Sequence, residues 1–121
     1  MTDDSIQLEF QTNAENGHVG SHLVSETDRV RVWYLEIKPT ERLPVHRHQL
    51  DYFWTALSAG KARSYFDDGT VSERDYVLGD TQHFSFEKGE SMMHDLANIG
   101  DTVLKFTTVE FKNSANSPLP L

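Results

Sequence analysis

The stretch Pro44-Val45-His46-Arg47-His48-Gln49-Leu50-Asp51-Tyr52-Phe53-Trp54 sets two histidines just ahead of three consecutive aromatic residues. A proline followed by aromatic residues favours extended backbone over helix. In an extended chain, residues two apart project to the same side, so His46 and His48 face one spot. Two neutral imidazoles converging there form the nucleus of a metal site. The spacing alone leaves a plainer reading open, two solvated histidines at a strand end.

Outward from this stretch the rhythm is that of strands. Arg29–Lys38 is rich in β-branched and aromatic residues (Val30, Val32, Trp33, Tyr34, Ile37) and stops at Pro39. Tyr52–Leu57 closes at Ser58-Ala59-Gly60. Lys61–Phe66 and Val71–Leu78 flank Asp67-Asp68-Gly69, and an Asp-Gly pair between such runs is a hairpin signal. Thr81–Phe86 follows Gly79-Asp80, a loop containing Gly89 comes next, and Thr102–Phe111 follows Gly100-Asp101. Strands recurring roughly every 8–12 residues indicate an all-β sandwich or barrel. No window shows a 3.6-residue apolar stripe, so little helix is expected. The first sixteen or so residues read as polar and half ordered. Asn113–Leu121, with Pro118 and Pro120, reads as an extended tail whose Leu119 and Leu121 can lie across a groove. No internal repeat interrupts the pattern.

The chain of 121 residues and 13.8 kDa fits one domain over 1–121, with its core at about 28–112. Its formal charge of −8 disfavours nucleic-acid and anionic-membrane partners. The absence of cysteine excludes disulfides, thiol nucleophiles and zinc–thiolate sites. The N-terminus carries Asp3, Asp4, Glu9 and Glu15 with no basic residue or apolar run, the reverse of a signal peptide, and apolar runs are too short to span a membrane. A cytoplasmic location is the expectation.

His46-x-His48-x-x-Asp51, then Gly60, the Asp-Gly hairpin, Gly79-Asp80, and His94-Asp95-Leu96-Ala97-Asn98-Ile99-Gly100-Asp101 form an ordered set that resembles the cupin family. The likeness runs from about Val32 to Phe111. It is strongest to the short single-domain bacterial cupins, which share the His-x-His-x-x-Asp-Tyr start and Pro-Leu-Pro end. The resemblance implies a small antiparallel jelly-roll barrel (double-stranded β-helix). It further implies a metal in one mouth, held by His46, His48, Asp51 and His94, with His94 brought from an opposite strand. Homodimers are common in the family, and one is expected here.

The chain departs from the family pattern in three places. The family's Glu position is Phe53, which leaves Asp51 as the acid, nearer the rim; Gln49 is a more distant candidate, and three histidines plus water form an alternative site. If Asp51 faces inward, so do Phe53, Thr55 and Leu57, and Tyr52 and Trp54 face outward. The proline of the second motif is missing, and Ser85–Met93 is longer than usual. Thr40 stands where a glycine is expected. Outside the ligand set, His83 is either structural or close to the substrate, His18 and His22 read as surface or strand residues, and Asn98 as a turn-bonding residue. Arg31, Lys61, Arg63 and Lys105 are candidate partners for a substrate carboxylate, or solvated charges.

A thiolate-free, histidine-rich site suits a divalent ion, Fe(II) first, with Mn, Ni or Zn as alternatives. The function expected is a small Fe(II) dioxygenase or oxidoreductase acting on a small oxygen-rich organic substrate. A metal-dependent isomerase, lyase or decarboxylase on an oxo- or hydroxy-carboxylate is the second reading, and a non-enzymatic ligand-binding cupin the third.

Overall fold

The computed structural model describes residues 3–121. One helix, α1 (Asp3–Thr12), precedes nine strands: β1 (His22–Glu26), β2 (Val30–Ile37), β3 (Arg42–His48), β4 (Asp51–Ala56), β5 (Gly60–Tyr65), β6 (Val71–Tyr76), β7 (Thr81–Phe84), β8 (Met92–Asn98) and β9 (Leu104–Phe111). They form two antiparallel sheets, ordered β1-β2-β9-β4-β7 and β3-β8-β5-β6. This is the all-β jelly roll expected, but the described strands do not close into one continuous hydrogen-bonded barrel. The two sheets face each other and leave β7 and β6 as neighbouring free edges, bridged by Arg74 Nη1–H donating to Gln82 Oε1 at 2.8 Å.

Alternation along the strands builds the core. Trp33, Leu35 and Ile37 of β2, Leu104 and Phe106 of β9 and Ala56 of β4 meet Leu43, Ala62 and Leu96 of the second sheet. At the β5 entrance a side chain on Gly60 would approach Leu104 to 2.6 Å, so glycine there admits the close approach of the two sheets. The hairpin between β5 and β6 turns through Gly69 at φ 87°, a left-handed conformation that glycine takes without steric cost.

The helix corrects the expectation of a polar, half-ordered N-terminus. Ile6, Leu8 and Phe10 alternate along the sequence, which hides the helical period. In space Ile6 and Phe10, four apart, pack on Val45 and Met93, while Leu8 is exposed. A ten-residue helix is marginal alone, and tertiary contacts hold this one. Burying Ile6 contributes about 2 kcal/mol, and Glu9 pairs with Arg42.

The decisive irregularity lies in β3. Leu43 pairs with Leu96 and His46 with His94, so β3 spends one residue more than β8 between them. Such a bulge reverses side-chain parity. Leu43 and His46, three apart, therefore both face the interior, while Val45 turns out to meet α1. Pro44 has no N–H to lose, so it suits the interruption. The polar groups freed at Val45 are met from the helical segment. Val45 N–H donates to Glu9 Oε2 at 2.8 Å, and its carbonyl accepts from Asn13 Nδ2 at 3.0 Å and Asn16 Nδ2 at 2.9 Å.

Candidate metal centre

Beyond the bulge, His46 and His48 resume regular alternation and point into the space between the sheets. β8 runs antiparallel beside them and sets His94 directly opposite His46. His94 Nε2 lies 3.1 Å from His46 Nε2 and 3.2 Å from His48 Nε2. The ligating nitrogens of all three lie within 4.8 Å of one another. A metal ion bonded at about 2.1 Å holds two donors at right angles about 3.0 Å apart, and both close pairs have that spacing.

The outer nitrogens fix the chemistry of the inner ones. His46 Nδ1 lies 2.8 Å from the Pro44 carbonyl, which can only accept, so Nδ1 carries the proton and Nε2 offers a lone pair. His94 Nδ1 lies 3.3 Å from Ser64 Oγ. His48 Nδ1 is buried without a partner among the described residues. Burial pushes the His46 imidazole down to about 4. It also pushes His48 and His94 well below the ordinary value, with mutual repulsion among the rings adding to it. All three are neutral at pH 7, the form that binds metal. The rings are braced by stacking, His48 on Tyr52 at 4.0 Å between centroids and His94 on Phe66 at 5.3 Å. Phe84 stacks on the far side of Tyr52 at 4.7 Å.

The three histidines open on a cavity of about 250 Å³. Its walls are apolar and aromatic, including Leu35, Trp54, Phe66, Tyr76, Phe84 and Phe106, with Ser64 and Thr108 supplying hydroxyls. A donor set of neutral imidazoles in a largely apolar cavity fits a divalent transition-metal ion.

No family profile matches the sequence, and no curated protein matches it. Solved structures do. A cupin domain from Bordetella pertussis superimposes with a TM-score of 0.65 at 22% identity, over 75% of this chain and 90% of that one. A protein with a double-stranded β-helix domain from Klebsiella pneumoniae gives 0.59 at 24%, over 77% and 76%. The oxalate decarboxylase of Bacillus subtilis, with its Mn(II) centres, gives 0.52 at 26%, over 68% of this chain and 21% of that one.

The chain has the cupin fold.

Within this fold, His46, His48 and His94 come together, whereas Asp51 stands apart from them. Its Oδ1 accepts from the Phe86 N–H at 3.0 Å, and its neighbour Tyr52 is the residue that turns inward. The parity expected for β4 is therefore reversed. Tyr52 and Trp54 line the cavity, while Asp51 and Phe53 lie on the other face, because Tyr52, Trp54 and Ala56 are the side chains that fill the space between the sheets. Gln49 donates to the Ser117 carbonyl at 2.6 Å, away from the cluster. His94 is reached from the adjacent paired strand, not from an opposite one.

His83 is exposed and lies 5.2 Å from the Phe53 ring on the outer face. His18 packs edge-on against Trp33 at 5.6 Å, and His22 is exposed on β1. Asn98 pins the turn after β8, donating to the carbonyls of Ile37 and Thr102 and accepting from Gly100 N–H. None of the four suggested carboxylate partners lines the cavity. Arg31 bonds Glu26 and the Leu119 carbonyl, Lys61 pairs with Glu73, and Arg63 lies over Tyr65. Lys105 stands beside Phe106, whose side chain takes the inner face. Sequence reasoning passed over Ser64, Phe66 and Arg74, which do line it; the alternation of β5 and β6 was the signal that could have found them.

Proposed function

We propose that this protein is a metal-dependent enzyme, a small Fe(II) dioxygenase or other oxidoreductase acting on a small oxygen-rich organic molecule. The observation that carries this reading is the convergence of three neutral imidazole Nε2 atoms at one end of a ligand-sized cavity. His46, His48 and His94 would hold the ion. Bound there, it would supply Lewis acidity or a site for O₂, because three ligands on an octahedral ion leave three positions open. Tyr52 and Phe66 keep the rings in place, and the aromatic walls limit water around the reacting group.

The second reading is a metal-dependent isomerase, lyase or decarboxylase on an oxo- or hydroxy-carboxylate. The Mn(II) centres of the structurally similar oxalate decarboxylase favour it. Elemental analysis of protein purified without chelator, followed by an oxygen-uptake screen, separates the two. Bound iron with O₂ consumption supports oxidation. Manganese, zinc or nickel with O₂-independent turnover supports the second reading. Metal-free protein that takes up no added divalent ion rejects both. We also expect a homodimer, checked by light-scattering mass.

A further inference from the structure

The cavity contrasts with the rest of the molecule in charge. The chain carries 19 Asp and Glu residues, yet no carboxylate lines the cavity. Histidines aside, Arg74 is the one ionisable cation among the described lining residues. It pairs across β5–β6 with Ala62, whose side chain is in the core. Directly opposed residues share a face, so Arg74 points to the interior side, as do Ser72 and Tyr76. It sits at the rim, exposed to solvent, where the free edges of the two sheets meet.

Arg74 is also held in place. Its guanidinium lies 4.9 Å from the centre of the Trp54 ring and 5.2 Å from that of Tyr76, and one N–H donates to Gln82 Oε1 at 2.8 Å. No described carboxylate pairs with it. A guanidinium has five N–H donors in a planar fork that matches a carboxylate, so a preoriented donor set stands at the mouth with no anion of its own. Ser64, the partner of His94, pairs directly with Ser72, and Arg74 lies two residues further along β6. Strand geometry places the Arg74 Cα about 8 Å from that of Ser64. The guanidinium and the three histidines therefore line one cavity.

Resting on the metal-dependent reading above, we propose that the substrate is a small monocarboxylate with an apolar or aromatic body. Its carboxylate is bound by Arg74 at the mouth, its body lies against Trp54 and Phe84, and its reacting end is at His46, His48 and His94.

The test uses paired probes, benzoate, phenylacetate, mandelate and hexanoate, each against its own primary amide. Binding is measured by calorimetry on metal-free and on metal-loaded protein at pH 7.5, where the acids are fully ionised. Charge-assisted hydrogen bonds make one or more of the acids bind about tenfold or more tighter than its amide in the metal-free protein. In Arg74→Gln that preference falls to within about twofold, with the three-histidine metal stoichiometry unchanged. Arg74→Lys, which keeps the charge but loses the fork, retains a preference at weaker affinity; this variant also decides the matter if Arg74→Gln does not fold. Equal binding of every acid and amide, no binding of any acid, a preference that survives Arg74→Gln, or undiminished acid affinity in Arg74→Lys overturns the proposal. Acid preference in a protein that binds no metal would overturn the metal reading alone.

Discussion

Glu110 offers a quantitative test of how the interior of this jelly roll treats charge. It is 3% exposed and on the inner face of β9, where it accepts a hydrogen bond from Trp33 Nε1–H at 2.7 Å. Burial pushes its carboxyl up to about 7 against an ordinary 4.5; the Trp33 bond and Arg31 oppose this without cancelling it. The folded state therefore holds a proton that the unfolded chain has released between pH 4.5 and 7, and stability falls as pH rises through that range. At about 1.4 kcal/mol per tenfold, the full cost is about 3 kcal/mol by pH 8, and about 2 kcal/mol at pH 6. Glu110→Gln keeps an oxygen for Trp33 and removes the ionisation. Relative to the parent, the variant gains little at pH 4 and about 3 kcal/mol at pH 8, a rise in Tm on the order of 10 °C for a domain of this size. Urea unfolding from pH 4 to 8 would record it. Parallel curves for parent and variant would refute the reasoning, since a constant offset reports packing and not a buried charge.

His94→Ala and His46→Ala should each lose bound metal while remaining folded, read by elemental analysis and thermal melting; parent stoichiometry in His94→Ala would remove the site. Asp51→Asn should leave metal content unchanged and lower stability by about 1 kcal/mol, because the carboxylate oxygen serves Phe86 N–H. The metal-free protein should lose stability as pH falls from 6.5 towards 4, because the unfolded chain protonates His46 while burial keeps it neutral in the fold down to about 4. That contribution is about 3 kcal/mol, and the decline should steepen in Glu110→Gln, which lacks the opposing slope. Thr40 has φ 71°, a left-handed conformation that is costly for a β-branched residue, so Thr40→Gly should raise stability by about 0.5–1 kcal/mol in denaturant melts.

The strands legible from the sequence are those built of β-branched and aromatic residues between turn signals. Val30–Ile37, Gly60–Tyr65 and Val71–Tyr76 lie within a residue or two of where the pattern put them, and the Asp-Gly hairpin joins the last two. β8 was not legible as a strand, because Met92–Asn98 has no β-branched residue and buries Asp95 in mid-strand. That aspartate is held by Tyr65 N–H and Arg42 from other parts of the chain, partners that no local window contains. The histidines were legible through spacing and order. Asp51 entered the ligand set through the family's pattern of two histidines and an acid, and no local signal told which parity β4 would present. Stacking decides that parity, since Tyr52 fits between His48 and Phe84. Arg74 escaped notice because one arginine on an exposed strand looks like any solvated charge until the facing sheet supplies Trp54 and Gln82.

The extra residue in β3 turns site geometry into a matter of counting. Upstream of Val45 the strand has one phase and downstream the other, and α1 grips the point where they change. Deleting one residue at Pro44–Val45 would restore a regular ladder with Leu43 and His46 two apart and both still facing the interior, and would take away the bulge that α1 grips through Glu9, Asn13 and Asn16. The extra residue therefore serves the docking of the helix, while Leu43 and the histidines keep their face with or without it. A residue inserted between His46 and His48 would do the opposite, setting the two rings on opposite faces of the strand and dividing the cluster.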